Sequence, residues 1–329
     1  METEKRLNWA VLGTGVIANE MAVAFQKMGK SLYGVANRTH DKAVPFAEKY
    51  GVEVVYDNIE DMFSDENVDI IYITTPHNTH YEFMKKALCA GKNIFVEKSI
   101  TLNSMELDEM IGLADKNNLI IGEAMTIWHM PLYKKLWEIV SSGELGKVQI
   151  ITINFGSFKE YNMNNRFFNM GLAGGAMLDI GVYALSIVRS FMSAQPENIV
   201  SQWKPSPTGS DEQGTVLLMN DNGEMATVAL SMHSKQPKRA MISCEKAYIE
   251  IVEFPRADKA VIVDAESGDR RDISEGDTTD ALYYEMLDME NAVRTGNKDL
   301  LKLSYTKDVM DIMTRLRKEW GMKYPGEIW

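Results

Sequence analysis

The stretch AVLGTGVIA, residues 10–18, joins an apolar strand to a helix through two closely spaced glycines. No other feature of the chain restricts the fold as much. A strand over Leu7–Leu12 is followed by a turn. Ile17, Met21, Ala24, Phe25 and Met28 then recur at helical spacing until Gly29. The same alternation continues along the chain. Strands are expected at Leu32–Ala36, Val52–Val55, Asp69–Thr74, Asn93–Val96 and Leu119–Gly122, with helices over Asp41–Tyr50, Thr79–Ala90 and Ser104–Lys116. Alternation with short connections specifies a doubly wound parallel sheet covered by helices on both faces. The β-branched run Asp69–Thr74 reads as a strand buried on both sides.

The rhythm changes after residue 122. A helix near Leu132–Val140 leads to a long strand, Lys147–Phe155, and an apolar helix spans about Gly174–Ser193. Strands follow at Ile199–Trp203, Thr215–Met219, Met225–Met232, Tyr248–Val252 and Ala260–Val263, then helices at Thr279–Arg294 and Ser304–Glu319. The expected fold is therefore an α/β chain of two domains. Residues 1–122 form a dinucleotide-binding Rossmann domain, and residues 123–329 an α+β domain on a largely antiparallel sheet. A length of 329 residues agrees with two cores.

The formal net charge is −12 and no Lys/Arg-rich run occurs, which argues against nucleic acid or an anionic membrane as partner. Cys89 and Cys244 are the only cysteines and lack metal-type spacing, so a reducing cytoplasm is expected. The start, METEKRLNWAVLGTGVIA, is broken by Asn8, Gly13 and Gly15 and does not read as a leader. No stretch is read as reaching the roughly 18 apolar residues of a membrane span.

Gly13-x-Gly15-x-x-Ala18 supplies a tight turn, a close backbone approach for a pyrophosphate and a small residue for helix–strand packing. Gly13, Thr14, Gly15, Val16, Ile17 and Ala18 are thus the first cofactor-binding candidates. The second strand ends in Asn37-Arg38, with no carboxylate before Asp41. An acidic residue there would hold the ribose of NAD. An arginine without a neighbouring charge favours the 2′-phosphate, so NADP is expected, with NAD as the alternative.

The fourth strand runs into Thr74, Thr75, Pro76, His77, Asn78 and His80, at the carboxyl edge where the ligand crevice of such sheets lies. All six are cofactor-binding candidates. The His77/His80 spacing lacks a third ligand, so no metal is expected. Strand five ends at the same edge in Glu97-Lys98, which reads either as a strand-end ion pair or as a lysine placed for chemistry. In the second half, Gly174-Gly175 precedes Asp179 and Tyr183, four residues apart in an apolar helix, so both fall on one helical face. A carboxylate in such surroundings costs several kcal/mol unless it is paired or hydrogen-bonded, about 3–5 for a broken buried pair.

Together GxGxxA, the P-x-x-x-H stretch, Glu97-Lys98 and AGGAMLDIGVY resemble the Gfo/Idh/MocA oxidoreductases over essentially the whole chain. WHMP after Glu123-Ala124, and Tyr at 183, are most similar to the dihydrodiol dehydrogenase-like branch. Two positions depart from the family pattern: Ser99 stands where proline is usual, and Ala173 where the first of three glycines is usual. The resemblance implies hydride transfer between a nicotinamide cofactor and a secondary alcohol or carbonyl of a sugar, polyol or diol. In that reading Lys98, Tyr183 and Asp179 are catalytic, and Glu97 contacts the ribose or orients the lysine. Arg166 contacts substrate or cofactor, with a solvated loop arginine as the alternative, and Trp128 and His129 line the substrate pocket, with core packing as the alternative for the tryptophan. Tyrosine and lysine both titrate near 10 when free, so either must be shifted downward to act near neutrality. Tyr183 is favoured as the base, with Lys98 as its electrostatic partner. The resemblance also implies a homodimer through an open sheet face. A cofactor-binding sensor without catalysis is the alternative. A third reading is an enzyme that keeps its cofactor and performs isomerisation or bond cleavage.

Overall fold

The structure, a computed structural model, describes residues 6–328. The charged residues 1–5 of the N-terminal stretch read above lie outside them. Two compact units form. The first comprises residues up to Thr101, Met105–Ala124 and Leu282–Leu303; the second comprises Leu102–Ser104, Met125–Ala281 and Ser304 onward. A boundary drawn at 122/123 from the strand–helix rhythm does not include the late segment that joins the first unit.

In the first unit the strands are β1 (Trp9–Leu12), β2 (Gly34–Ala36), β3 (Val54–Val55), β4 (Ile70–Ile73), β5 (Asn93–Glu97) and β6 (Ile121–Ala124). They form a sheet in the order β3-β2-β1-β4-β5-β6, and every neighbouring pair is parallel. Helices α1 (Val16–Lys27), α2 (Ala43–Tyr50), α3 (Ile59–Ser64), α4 (His80–Cys89) and α5 (Ser104–Lys116) connect them. The strand order reverses between β1 and β4, the position where open α/β sheets bind ligands. The register aligns Leu12, Ala36, Ile73 and Val96. The next residues, Gly13, Asn37, Thr74 and Glu97, therefore share one edge. Trp9, Phe25, Tyr72 and Phe95 fill the core beneath that edge, with Trp9 edge-on to Phe25 and Phe95.

In the second unit, α6 (Thr126–His129) and α7 (Pro131–Ser141) precede β7 (Val148–Gly156), and α8 (Val182–Phe191) follows it. Next come β8 (Asn198–Pro205), β9 (Asp211–Met219), β10 (Met225–Ser231), β11 (Gln236–Cys244), β12 (Ala247–Val252), β13 (Lys259–Asp264) and β14 (Arg270–Ser274). The sheet order is β14-β13-β12-β11-β7-β10-β9-β8. It is antiparallel except for the central β7–β10 pair, which is parallel. Alternation sorts its side chains. Ile151, Ile153, Val216, Leu218, Val228, Ala240 and Ile242 are buried, while Val200, Leu217, Met225 and Ile150 are exposed.

Helix α9 (Ala281–Thr295) clusters with the first unit, where Glu290 accepts from Trp9 Nε1 at 3.2 Å and pairs with Lys30 at 2.6 Å. Helix α10 (Leu303–Glu319) lies almost wholly in the second. One expectation about apolar runs needs correction. The 22-residue helical stretch Met170–Phe191 is long and apolar enough to cross a membrane by length and composition. Of its most apolar window, 78% is buried inside the protein, which is how a core segment uses such side chains.

Candidate active site

The edge of the first sheet is built around Gly13. Its N–H donates to Ala36 O at 2.8 Å, and its φ of 108° suits glycine. A Cβ there would lie 2.6 Å from Thr74 Oγ1, itself held on Leu12 O at 2.9 Å. Gly15 caps α1 without a side-chain hydrogen bond, nothing lies within 4 Å of where its Cβ would be, and Val16 is 79% exposed. The helix therefore presents its first N–H groups with open space before them. Ala18 is buried and packs the helix down. Asn37 donates to Thr14 Oγ1 at 2.6 Å and accepts from Thr39 N at 2.9 Å, which fixes the loop that carries exposed Arg38.

Beyond β5, three contacts hold the backbone that carries Lys98. His77 Nε2 meets Lys98 O at 3.0 Å, His80 Nδ1 meets Ser99 O at 3.0 Å, and Ile100 N donates to Glu123 Oε1 at 3.1 Å. The Lys98–Ser99 peptide is cis. Glu97 accepts from the Tyr72 hydroxyl. The other His80 nitrogen, Nε2, faces Thr75 O at 2.7 Å, so one imidazole links the ends of β4 and β5. Burial lowers its pKa and outweighs the opposing pull of the carbonyls. A neutral ring has one N–H and donates to one of the two carbonyls at a time.

His80, expected among the cofactor contacts, fastens the backbone at this edge. Its side chain is wholly buried and both nitrogens face backbone carbonyls. Thr74, Thr75 and His77 are half-buried at the edge, and Pro76 and Asn78 are exposed there.

In the second unit, two glycines open the segment that carries Asp179. A Cβ on Gly174 would lie 2.5 Å from Arg166 O, and one on Gly175 only 1.9 Å from Asp211 Oδ1. The regular helix expected over 174–193 is not what forms. Met177–Gly181 is a π-helical turn that runs into α8, and such turns recur at functional sites. From Ala173 to Val188 every residue is buried except Asp179 and Tyr183. Leu178, Ile180, Val182 and Leu185 are among those buried, at about 1.5–3 kcal/mol each for their side chains. This burial holds a carboxylate and a phenol as the accessible groups of an otherwise apolar segment. Arg166, mostly exposed, lies 3.8 Å from Asp179 and over the Phe167 ring. The Tyr183 ring is 6.3 Å from that of Phe155.

Trp128 and His129, expected to line a pocket, are wholly buried. Trp128 Nε1 donates to Thr306 Oγ1 at 3.2 Å, and its ring packs by Tyr305 and Trp137. It is a core side chain.

Residues 7–125 match the model of an oxidoreductase family with an NAD-binding Rossmann fold, and residues 133–250 match the Gfo/Idh/MocA C-terminal domain. The chain belongs to the Gfo/Idh/MocA oxidoreductase family. It is similar to the trans-1,2-dihydrobenzene-1,2-diol dehydrogenase of Xenopus tropicalis, 26% identical over 331 residues that cover 96% of this chain and 99% of that one. The enzyme of the same name from Homo sapiens is 26% identical over 98% and 99% of the two chains. Among solved structures, a 3-ketoreductase from Actinomadura kijaniata in complex with NADP and TDP-benzene superposes with a TM-score of 0.85. It is 18% identical and covers 95% of this chain and 98% of that one. A UDP-N-acetylglucosamine 3-dehydrogenase from Acidithiobacillus ferrooxidans gives a TM-score of 0.80 at 18% identity, over 95% and 97% of the chains.

The chain is thus an NAD(P)-dependent oxidoreductase, and its residues fit the cofactor. The uncapped N-terminus of α1, with the Gly15 gap before it, suits a pyrophosphate through open N–H groups and helix polarity.

Several buried or paired polar residues of the second unit carry no signal in the sequence pattern. Asp211 beneath Gly175 is one. Another group gathers near residues 156–172. There the Tyr161 hydroxyl binds Glu212, Lys204 pairs with Glu212 at 2.9 Å, and the Tyr161 and His233 rings stack at 3.8 Å. Burial alone would raise the Glu212 carboxyl, but the Tyr161 and Lys204 hydrogen bonds hold it below its usual value. The Asp-Glu pair at 211–212 opens a strand, and its polar identity gave no sign of burial.

Proposed function

We propose that the protein is an NADP-dependent dehydrogenase or reductase acting on a secondary alcohol or carbonyl of a sugar, polyol or diol. The observation that carries this reading is that Asp179 and Tyr183 alone stay partly accessible within a buried segment, in a chain of this family. Lys98, at the β5 edge of the first unit, joins them in this reading because the Glu97-Lys98 pair matches the family pattern. NADP, when bound, takes or gives a hydride at nicotinamide C4. In the oxidative direction the carbinol carbon loses that hydride while Tyr183, as phenolate, takes the hydroxyl proton, leaving a carbonyl. The Lys98 ammonium stabilises the phenolate, which requires a downward shift from the free value near 10. Asp179 orients the lysine or the substrate hydroxyl, and Arg166 contacts substrate. A diol fits the activity for which the similar dihydrodiol dehydrogenases are named, and a sugar fits those for which the structural neighbours are named.

Exposed Arg38 beside uncharged Asn37 supports NADP over NAD. Arg38→Ala then weakens NADPH binding about tenfold and leaves NADH binding within about twofold. The free thiols Cys89 and Cys244 support a cytoplasmic location. Exposed Val200, Leu217, Ile150 and Met225 support a homodimer through the open sheet face.

The test is turnover by Lys98→Met and Tyr183→Phe against a panel of sugars, polyols and diols. Both lose about 10²–10⁴ in kcat/KM while NADPH affinity stays within about threefold. A wild-type chain that binds NADPH tightly and turns over none of the panel is a sensor, and the enzyme reading fails.

A further inference from the structure

The start of the segment carrying Asp179 and Tyr183 is fastened from below. Asp211, at the first position of β9, is buried, and its Oδ2 accepts from Met177 N at 2.5 Å. Met177 is the first residue of the π turn. The other oxygen, Oδ1, has no hydrogen-bond partner and lies where a Cβ on Gly175 would fall, 1.9 Å away. Gly175 has a φ of 139°. The second glycine of the AGGA run is therefore required by two constraints, its backbone angle and the carboxylate beneath it.

The carbonyl side of the same turn is also held. The Tyr324 hydroxyl donates to Gly174 O at 3.0 Å. Tyr324 N donates to Glu327 Oε2 at 3.1 Å, and Glu327 holds Arg317 by two bonds of 2.7 and 2.8 Å. All of these side chains are buried. The strand edge at Asp211 and the tail around Tyr324 thus grip the turn by its N–H and C=O groups respectively. Neither touches the accessible face.

We infer that Asp211 is a positioning residue for Asp179 and Tyr183, acting through the Met177 N–H to set the π turn. The inference rests on the roles given to Asp179 and Tyr183 under the proposed function. A buried acceptor at a helix start satisfies an N–H that the helix itself leaves open. Placing that acceptor on a separate strand ties the turn to the sheet.

The experiment compares Asp211→Ala with Asp211→Asn, which keeps an oxygen within reach of Met177 N. Amide hydrogen exchange and steady-state kinetics are measured on each. Asp211→Ala is expected to exchange about tenfold faster across residues 176–183, with the distant β12–β14 strands unchanged. Its kcat falls about tenfold or more at unchanged NADPH affinity, and Asp211→Asn returns kcat to within about threefold of wild type. Should Asp211→Ala not fold, Asp211→Val, which fills the space without an acceptor, replaces it. A purely structural role predicts faster exchange throughout and normal kcat in the folded fraction, and that result overturns the inference. Unchanged exchange across 176–183 overturns it as well. If the wild type turns over nothing, the proposed function fails, and the exchange data alone decide on Asp211.

Discussion

A carboxyl group in water has lost its proton well before pH 7, but burial pushes the Asp211 carboxyl from 3.8 up to about 7. The Met177 N–H and the Arg317 charge pull it down without cancelling that effect. Glu327 in turn accepts from Arg317 and from Tyr324 N. Between the two values the native chain holds more of this proton than the unfolded chain does. The stability from this group is therefore complete below 3.8 and is lost as pH rises through about 7. Asp211→Asn has no such proton. Its melting temperature should rise relative to wild type as pH goes from about 4 to 8, by the equivalent of at most about 4 kcal/mol. A difference that is flat with pH would show that the carboxyl is ionised throughout. Gly13 and Gly15 separate folding from binding in the same residue-level way. Gly13→Ala meets Thr74 Oγ1 at 2.6 Å and should destabilise the apo protein. Gly15→Ala meets nothing, so melting should shift by less than about 2 °C. It should weaken NADPH binding about tenfold or more in a fluorescence titration.

At the scale of elements, the tail after α10 contributes to the core. Glu327 accepts from Arg317, from Tyr324 N and from Asn103 Nδ2 at 3.0 Å. Glu327→Ala should cost about 3–5 kcal/mol in urea unfolding, because a buried guanidinium loses its carboxylate. A loss below about 1 kcal/mol would place solvent beside Arg317. Elements that repeat a pattern are legible in the sequence, and those governed by their neighbours are not. Strand β11 contains Pro237, Lys238 and Arg239, which argue against a strand, yet it lies between β7 and β12 with a register shift between Gln236 and Arg239. Edge strand β14, Arg270–Ser274, is charged and exposed, so no apolar alternation marks it. Helix α3 is only six residues long, although Asn58 capping Asp61 N is a readable start. In the candidate site, Lys98, Asp179 and Tyr183 stand out as candidates because polar residues break apolar runs there. Asp211 was not, since its importance comes from an absent Cβ thirty-six residues earlier, at Gly175.

For the whole molecule, the open sheet face is the feature most available to another chain. Val200 pairs with Leu217, Leu217 with Thr227, Thr227 with Thr152 and Thr152 with Met241, so one rung crosses five strands. Leu217→Glu should weaken a dimer through this face about a hundredfold by sedimentation equilibrium. A wild-type chain that sediments as a monomer at micromolar concentration would remove the dimer reading. Composition and strand rhythm made two cores legible, but a helical period says nothing about which core a helix joins, and α9 joins the first. That allegiance orders events on the ribosome. The nucleotide-binding core has its sixth strand by Ala124 but lacks Leu282–Leu303 until 179 further residues have been made. At about 5–20 residues per second this is a wait of roughly 9–36 s. During that time Trp9 and Lys30 lack Glu290, and the whole second sheet leaves the exit tunnel before the first core is closed.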